Sequence, residues 1–425
     1  MNLFYSIISN KIFPSNKILI NFFFLLIFGI AFLSCSPTKR IFDTYNESDS
    51  NLYNSIRVLL LESSEEISIK VGSKIILCDE SNKLAEVKTG NYIMLSINSN
   101  NLLAKISDQD FVSTNFYLDS EDANETININ SKKYRGRIKI LIKNSKIEIV
   151  NQIGLEDYVK GVMTKEMPIG NGMENYQALK AFSICVRSYA FNKIKEQKDF
   201  FDIYSDTRDQ VYGGVDGETD YTNKIVDETA GQILTYEYRP ATIFYHSTCG
   251  GFTEDVENVF GSESIPYLES VEDGPDHYCK ISPRYEWKEN YSEEVFIDRL
   301  FKADLIESNN YRVDNIEIIS RFGSGRVNKL KISLLDKNGN EKTITLIGNN
   351  MRSVIRSGDN KSILKSNYFE VELNQNKEIV IDGKGSGHGV GMCQWGAIGQ
   401  SKLGVDYLNI LSHYFPGTKI KNSYD

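Results

Sequence analysis

The sequence predicts an α+β protein in which mainly antiparallel or barrel-like strands are accompanied by a few helices that flank a groove. Alternation of apolar and polar residues dominates residues 52–150 and returns at 290–380. Helical spacing is confined to residues 155–194 and to a short segment near the C-terminus. Hydrophobic residues make up 41% and charged residues 25% of the 425-residue chain, which is the balance of a protein that buries a core.

The first 35 residues have the features of an export signal. An apolar run over residues 22–33 follows two lysines, and it is about the length of a signal-peptide core but short for a membrane span. The run ends in Leu33-Ser34-Cys35, which resembles a bacterial lipobox whose cysteine is acylated. We therefore predict a signal peptide over 1–35 that ends at a lipidated Cys35, and a polar tether over 36–51 that holds the protein at a membrane surface. A plain cleaved signal and an uncleaved anchor are the alternatives, and all three place the bulk of the chain outside the cytoplasm.

Residues 52–150 are predicted to form an N-terminal strand-rich region. Isoleucines alternate with polar residues on both sides of Lys143-Asn144-Ser145-Lys146, a pattern typical of a hairpin. The segment Ser120–Ser131 is acidic and rich in asparagine, and it is predicted to be a loop. No proline occurs between Pro37 and Pro168, as suits a sheet.

The remaining residues, 151–425, are predicted to begin with two helices. Leu155–Met167 carries acidic residues in its first turn, where the helix dipole favours them, and Pro168 ends it. Apolar residues at helical spacing predict a second helix over Met173–Ile194.

Strands are expected to follow these helices, above all in the strand-rich segment 290–380. Asp336-Lys337-Asn338-Gly339 lies between two strand-like stretches and predicts a second hairpin. Gly383–Gly399 is predicted to be a glycine-dense loop, and Asp406–Phe415 a closing helix.

The charge balance and two absent motifs argue against several function classes. The chain carries 48 basic and 57 acidic residues, so it lacks the basic surplus that nucleic-acid binding requires, and we expect no nucleic-acid partner. Neither a Gly-x-Ser-x-Gly elbow nor a His-Glu-x-x-His pair occurs, which argues against a serine hydrolase and a zinc protease.

Glu166 is the first candidate for chemistry, because it continues the apolar stripe of the first helix into its last turn. Partial burial and the negative end of the helix dipole both disfavour the carboxylate there, so its pKa should be raised. A carboxyl group that stays protonated near neutral pH can act as a general acid. The alternative is a structural ion pair with Lys165, Lys180 or Arg187.

The segment Gly385–Gly396 is a second candidate, because it combines five glycines with a histidine, a glutamine and a tryptophan. The glycines have no side chains and leave room for a close ligand. His388 and Gln394 offer hydrogen bonds beside the aromatic face of Trp395, a mixture that carbohydrate sites use. We expect Glu166, His388 and Gln394 to line one cleft, with Arg187 and Tyr189 as second choices. The alternative is a tight structural turn.

Two histidines and two cysteines form a third constellation, namely His246, Cys249, His277 and Cys279. Two imidazoles and two thiolates can bind zinc in a tetrahedral site. Outside the cytoplasm, a disulfide between Cys249 and Cys279 is an equal alternative. The third alternative is that Cys249 and Cys279 are free, buried thiols.

Several blocks in order along the chain resemble the stage II sporulation protein D family, also called amidase enhancers. The blocks are Leu155–Val162, Lys165–Pro168, Gln177–Ala181, Val186–Ala190, Asp209–Gly214, His246–Glu254, Pro266–Val271, Gly387–Ala397 and Ile410–Gly417. The resemblance runs from about Ile56 to the C-terminus.

This resemblance implies an extracytoplasmic protein that acts on peptidoglycan, with an N-acetylmuramoyl-L-alanine amidase as a further partner. Sporulation members of the family are lytic transglycosylases that cut glycan strands stripped of stem peptides, and their catalytic glutamate falls on Glu166. The matching blocks add Gln210, Tyr212 and His246 as expected substrate contacts. Some members bind zinc near the block that contains His246 and Cys249.

The implied chemistry needs one carboxyl group and no cofactor beyond a structural zinc. A hydrolase would instead need a second carboxylate. The sequence offers five candidates for it: Glu156, Asp157, Glu174, Asp206 and Asp209. A non-catalytic glycan-binding module that serves an amidase, and a structural envelope lipoprotein with no glycan site, are the rival classes.

Overall fold

The computed structural model describes residues 54–121, 125–196 and 200–424. They belong to one compact unit, Ser48–Asp425. The predicted signal peptide, the lipidated Cys35 and the tether over 36–51 lie outside the described residues. Within the described part of the chain, no helix is both long enough and apolar enough to cross a membrane.

The described residues contain twenty-four strands and eight α-helices. The strands are β1 (Ser55–Ser63), β2 (Ile67–Lys70), β3 (Ile75–Cys78), β4 (Lys83–Val87), β5 (Tyr92–Asn98), β6 (Asn101–Ile106), β7 (Gln109–Ser113), β8 (Asn115–Asp119), β9 (Ile127–Ile129), β10 (Lys132–Tyr134), β11 (Arg137–Lys143), β12 (Lys146–Gly154), β13 (Ile203–Tyr204), β14 (Gln232–Tyr236), β15 (Arg239–Pro240), β16 (Tyr245–His246), β17 (Glu286–Ser292), β18 (Tyr311–Arg321), β19 (Val327–Asp336), β20 (Glu341–Ile347), β21 (Phe369–Leu373), β22 (Glu378–Lys384), β23 (Met392–Cys393) and β24 (Lys419–Asn422). The helices are α1 (Leu155–Glu166), α2 (Tyr176–Lys195), α3 (Asp220–Glu228), α4 (Val256–Phe260), α5 (Glu293–Lys302), α6 (Met351–Ile355), α7 (Gln394–Lys402) and α8 (Tyr407–Tyr414).

The largest sheet has seven strands in the order β13-β1-β12-β11-β8-β3-β4. Its strands pair antiparallel, except that β1 and β13 run parallel. The predicted hairpin is confirmed, because β11 and β12 pair with Lys143 opposite Lys146. Asn144 and Ser145 between them have φ values of 50° and 58°, as a two-residue type I′ turn requires.

The sheets of the described residues are open. The seven-stranded sheet ends at β13 and β4, and a four-stranded sheet, β2-β5-β6-β7, ends at β2 and β7. The α+β prediction with mainly antiparallel sheets is therefore confirmed, whereas the barrel-like alternative is wrong. The predicted loop Ser120–Ser131 is also wrong in part, because Ile127 and Ile129 are buried in β9, which pairs with β10.

Two large apolar cores and a small third cluster around Leu59, Leu141 and Val150 stabilise the described residues. The first joins the N-terminal sheets to α1, α2, α7 and α8, and α2 lies deep within it, with most of its side chains buried. The second belongs to residues 286–384, where the sheets β17-β22-β21 and β18-β19-β20 pack with α5 and α6. The predicted hairpin at Asp336–Gly339 is confirmed between β19 and β20.

The end of the predicted glycine-dense loop is regular structure. Met392–Cys393 forms β23, which pairs in parallel with β16, and α7 begins at Gln394. The loop prediction for Gly383–Gly399 is therefore wrong from Met392 onward, and also at Gly383 and Lys384, which end β22. The sequence shows no one-sided apolar stripe there, because α7 is buried on several sides. It also contains glycines, which have low helix propensity. The closing helix is confirmed as α8, whose N-cap residue Asp406 accepts a hydrogen bond from the Asn409 N–H at 2.9 Å.

Candidate functional site

Glu166 is the last residue of α1, at the end of an apolar stripe that packs into the first core. The helix ends one residue before its predicted boundary, because Met167 is extended and Pro168 follows. Burial raises the pKa of Glu166, although the Val211 N–H, which donates to Oε1 at 2.5 Å, acts in the opposite direction. A half-buried carboxyl group with a raised pKa is suited to give and take a proton.

Glu166 stands apart from the basic side chains that the sequence offered as ion-pair partners. Lys180 pairs with Glu228 at 3.1 Å, and Arg187 pairs with Glu156 at 2.6 Å. No ion pair within the described ranges includes Glu166, and its Oε2 atom has no hydrogen-bond partner there. One carboxylate oxygen is therefore held by a backbone N–H, and the other is available to a ligand.

The segment that supplies the Val211 N–H is held in place by tyrosines. The Tyr158 hydroxyl donates to Gln210 Oε1 at 2.9 Å, and the Tyr189 hydroxyl donates to Asp209 Oδ1 at 2.6 Å. Gln210 is fully buried. Gln210 and Tyr189, which were predicted to contact a substrate, thus lie around Glu166 and support the loop that contacts it.

Tyr212, a third predicted substrate contact, lies one layer further in. Its hydroxyl donates to Asn151 Oδ1 at 2.9 Å, and its ring stacks on Tyr158 with centroids 5.2 Å apart. Gly161 of α1 packs directly against this ring, where a Cβ would come within 2.5 Å of it. The geometry gives Tyr212 a supporting position behind Gln210 and Val211.

Tyr245 also lies near Glu166, although no motif in the sequence marked it as a site residue. Burial raises its pKa well above the usual range, and the nearby Glu166 and Tyr158 act in the same direction. Its hydroxyl has no hydrogen-bond partner within the usual geometry among the described residues. The sequence feature that could have indicated Tyr245 is its position directly before the candidate His246. In the structure the two residues form β16, which pairs with β23.

Gln394 joins the same cluster from the other side of the chain. Its side-chain amide donates to the backbone carbonyl of Glu166 at 2.9 Å, although 228 residues separate the two. Gln394 is nearly buried as the first residue of α7. It therefore caps the exposed carbonyl at the end of α1 and holds Glu166 in position.

His388 lies within an aromatic group made of Phe244, Phe260 and His246, with ring centroids 6.1, 5.4 and 5.6 Å away. Burial, followed by the charge of Arg352, lowers its pKa to about 4, so the ring is neutral at pH 7. Its Nδ1 accepts the Val390 N–H at 3.1 Å. Among the described contacts, none joins His388 to Glu166.

The backbone around His388 also accounts for its glycines. Gly389 and Gly391 have φ values of +93° and +69°, where side chains are disfavoured. A Cβ on Gly391 would lie 2.2 Å from the Phe244 carbonyl oxygen. This observation favours the tight-turn interpretation for the part of the segment around His388, whereas Gln394 lies with Glu166.

His246 and Arg187 have partners of their own. His246 is nearly buried, its Nδ1 lies 3.1 Å from the Val390 carbonyl oxygen, and its pKa is lowered by burial. Arg187 is completely buried and binds both oxygens of Glu156, at 2.8 and 2.6 Å, near the opposite end of α1 from Glu166. Arg187 is therefore not part of the Glu166 cluster.

The candidates for a second carboxylate also have partners. Glu156 pairs with Arg187, Asp206 with Arg208 and Glu174 with Lys402. Asp157 lies 3.9 Å from Lys160, and Asp209 lies 3.5 Å from Lys193. Asp209 is nevertheless the candidate nearest to the cluster, because the Tyr189 hydroxyl that donates to it also borders Glu166.

A cluster of sulfur and oxygen atoms lies next to β23. Cys249, Cys279, Cys393 and Asp273 are all buried, and their ligand atoms lie within 4.8 Å of one another. Cys249 Sγ and Cys279 Sγ are 3.4 Å apart as free thiols. Cys249 and Cys279 are therefore neighbours in space, as the sequence predicted.

The histidines of the predicted constellation lie outside this cluster, so the four-residue set is corrected. His277 Nδ1 lies 2.5 Å from the Tyr285 hydroxyl, and His246 is bonded to the Val390 carbonyl. Cys393 and Asp273 take their places. Spacing could not reveal this, because Cys393 is 144 residues from Cys249.

Comparisons with known proteins show which family the sequence resembles. A family model described as "Stage II sporulation protein" matches residues 143–236, which contain α1 and Glu166, and a domain of unknown function matches residues 279–391. An uncharacterised protein of Brachyspira hyodysenteriae is 33% identical over 297 residues, which cover 69% of this chain and 73% of that protein. The stage II sporulation protein D of Bacillus subtilis is 29% identical over 67% of this chain and 80% of its own length. The amidase enhancer of Bacillus subtilis is 27% identical over 62% of this chain, but over 40% of its own length.

Proposed function

The chain belongs to the stage II sporulation protein D family, and from that premise we propose that it cleaves peptidoglycan glycan strands as a lytic transglycosylase. The observation that carries the proposal is Glu166, a half-buried carboxyl group with a raised pKa and one unpaired oxygen. Its place at the end of α1 and the upward shift of its pKa suit a general acid. Denuded strands, which lack stem peptides, are the proposed substrate.

In the proposed reaction, Glu166 acts first as an acid and then as a base. The protonated carboxyl group donates its proton to the glycosidic oxygen as the bond to N-acetylmuramic acid breaks. The resulting carboxylate takes the proton of that sugar's own C6 hydroxyl, which attacks C1 and closes a 1,6-anhydro ring. Water does not enter the products, so a second carboxylate to activate water is not needed.

The protein's own groups support both steps. The Val211 N–H holds Oε1 and stabilises the carboxylate that forms after the first proton transfer. Gln394 binds the Glu166 carbonyl and fixes the end of α1. Tyr189 and Tyr245 place hydroxyl groups near the carboxyl group, and we propose that they help to hold Glu166 and its neighbouring loop in position for the sugar.

A second candidate function is a non-catalytic glycan-binding module that serves an amidase. The relative named amidase enhancer favours it. In this role, Glu166 would accept hydrogen bonds from a sugar without transferring a proton. An N-acetylmuramoyl-L-alanine amidase would be the protein partner.

We also propose an extracytoplasmic location, with the lipidated Cys35 as the membrane anchor. The proposal rests on the apolar run over 22–33 and the Leu33-Ser34-Cys35 pattern. Labelling cells with a radioactive fatty acid tests the anchor, because Cys35→Ala should abolish incorporation. Retained label on that variant would contradict it.

The decisive experiment incubates the detergent-solubilised full-length protein with denuded glycan strands and analyses the products by mass spectrometry. A lytic transglycosylase yields 1,6-anhydromuramyl ends, whereas a hydrolase in ¹⁸O-labelled water incorporates the label. Retention of strands without cleavage would support the amidase-enhancer function. Glu263→Gln, an exposed acid outside the cluster, is the matched control for Glu166→Gln.

A further inference from the structure

We propose that Cys249, Cys279 and Cys393 bind one zinc ion as thiolates and that Asp273 supplies the fourth ligand. The four ligand atoms lie within 4.8 Å of one another, and the Cys249 and Cys279 sulfurs are 3.4 Å apart. Zinc–sulfur bonds of about 2.3 Å in a tetrahedron place two sulfurs roughly 3.8 Å apart. The cluster therefore has the dimensions of a mononuclear site and needs little rearrangement to close on an ion.

Burial and charge favour a cation in this cluster. Cys249, Cys279, Cys393 and Asp273 are each fully buried. Within the described ranges, no ion pair includes Asp273, so its carboxylate has no basic side chain to balance it. A buried carboxylate without a counter-charge is costly. A divalent ion bound at this cluster would give the carboxylate a positive partner.

The groups around the cluster orient it as a metal site requires. Asp273 is held by the Tyr414 hydroxyl at 2.6 Å and by the Cys279 N–H at 2.7 Å. Cys393 Sγ accepts N–H groups from Cys249 at 3.2 Å and from Gly396 at 3.3 Å. Such surrounding hydrogen bonds fix metal ligands in position.

A disulfide explains the cluster less well. A bond between Cys249 and Cys279 requires about 2.05 Å between the sulfurs, compared with the 3.4 Å of the free thiols. It would use two of the three converging sulfurs and leave Cys393 without a covalent or metal partner. It would also leave Asp273 buried without a counter-charge. Zinc engages all four residues.

The ion would tie together three segments that are distant in sequence and support the Glu166 cluster. Cys249 follows β16, Cys279 lies in a short 3₁₀ turn, and Cys393 is the N-cap of α7. The next residue, Gln394, donates to the Glu166 carbonyl. Zinc at Cys393 would therefore hold the start of α7 in the position from which Gln394 fixes the end of α1.

The test measures metal content directly and does not depend on glycan cleavage. The detergent-solubilised full-length protein is purified with and without added zinc, and its metals are quantified by inductively coupled plasma mass spectrometry. We expect one equivalent of zinc per chain. Reconstitution with Co²⁺ after chelation should give an ultraviolet thiolate-to-cobalt charge-transfer band together with visible bands of tetrahedral cobalt.

Single substitutions then identify the ligands. Cys279→Ala and Cys393→Ala should each lower zinc content at least tenfold, whereas Cys78→Ala, which removes a buried thiol outside the cluster, should retain one equivalent. His277→Gln should also retain zinc, because His277 is bonded to Tyr285. Loss of zinc in His277→Gln with retention in Cys393→Ala would overturn the ligand set.

The unmutated protein alone can overturn the proposal, so a variant that fails to fold does not decide it. Less than about a tenth of an equivalent of metal after zinc addition would contradict the site. An intact mass that is lower by two hydrogens under non-reducing conditions, with Cys249 and Cys279 in one cross-linked peptide, would establish the disulfide instead. Because glycan cleavage is not measured, failure here leaves the proposed function of Glu166 standing.

Discussion

The two ends of α1 carry two glutamates with opposite acid–base behaviour. Glu156, in the first turn, is held by Arg187, and the guanidinium together with its hydrogen bonds overcomes the effect of burial and lowers the pKa. Glu166, in the last turn, has no such cation, and burial raises its pKa. Both carboxyl groups are removed from water to a large extent. Burial alone therefore does not decide the charge of a glutamate on this helix, whereas the partner that the fold brings to it does.

The helix dipole increases this difference between the pKa values of Glu156 and Glu166. The positive end of α1 favours the carboxylate of Glu156, and the negative end disfavours that of Glu166. Glu156 is consequently a structural anion, whereas the pKa of Glu166 is shifted towards the protonated form. A change at one end of α1 can therefore be measured with the other end as its reference.

The largest effect is expected for the proposed acid itself. Glu166→Gln should lower the rate of glycan cleavage by roughly 10²–10⁴, because the amide keeps the shape but cannot transfer a proton. The measurement is release of 1,6-anhydromuramyl products, with Glu263→Gln as the matched control. Near-normal turnover of Glu166→Gln would remove Glu166 from the mechanism.

At the other end of α1, removal of Glu156 as the partner of Arg187 should mainly lower the stability of the folded protein. Glu156→Ala leaves the fully buried Arg187 uncompensated and should lower the free energy of unfolding by about 3–5 kcal/mol. Urea denaturation measures the change, and Glu174→Ala, which breaks the exposed pair with Lys402, should have a much smaller effect. Equal losses in the two variants would show that the buried pair has no special role.

The pH dependence of stability should have opposite signs at the two ends. The lowered pKa of Glu156 contributes stability that is present above the ordinary glutamate pKa and is lost as pH falls through the folded-state pKa. The raised pKa of Glu166 contributes stability at low pH that is lost as pH rises through the ordinary value towards the folded-state value.

Unfolding free energies of the wild type, Glu156→Gln and Glu166→Gln between pH 3 and pH 8 test whether the two pH dependences have opposite signs. Relative to wild type, Glu156→Gln should lose more stability at pH 7 than at low pH. Glu166→Gln should compare more favourably with wild type at pH 7 than at low pH. Parallel curves for both variants would mean that the two carboxyl groups have similar pKa values in the folded protein.

The smallest effect concerns the contact that positions Glu166. Gln394→Ala removes a hydrogen bond of 2.9 Å to the Glu166 carbonyl, and such a bond contributes about 1 kcal/mol. We expect a several-fold loss in kcat with little change in KM, compared with the exposed Gln375→Ala as a control. A change confined to KM would indicate that Gln394 contacts the substrate instead.

Local rules predicted much of this molecule from the sequence. The hairpin at Asn144-Ser145 follows from strand alternation around a two-residue turn, and α1 follows from apolar spacing that ends at Pro168. The same spacing identified Glu166 as half-buried, because a position at the end of an apolar stripe must border the core. These features depend on residues that are neighbours along the chain.

Other features escaped the sequence because chemistry alone does not specify which distant partners meet. Arg187 matched Glu166 as well as Glu156 in charge, and the fold pairs it with Glu156. Tyr245 and Val211 contain no motif that marks them as neighbours of Glu166. The helix α7 was hidden by its glycines, whose low helix propensity is offset by burial.

By itself, the sequence determined the α+β class, the hairpins, the helix that carries Glu166 and the family, because these follow from short-range periodicity and contiguous motifs. The tertiary structure decided which groups surround each reactive atom. It brought the amide of Gln394 to Glu166 across 228 residues and the sulfur of Cys393 to Cys249 across 144. The physical reason is that pKa values and ligand sets depend on distances of a few ångströms, and the packing of the core sets these distances.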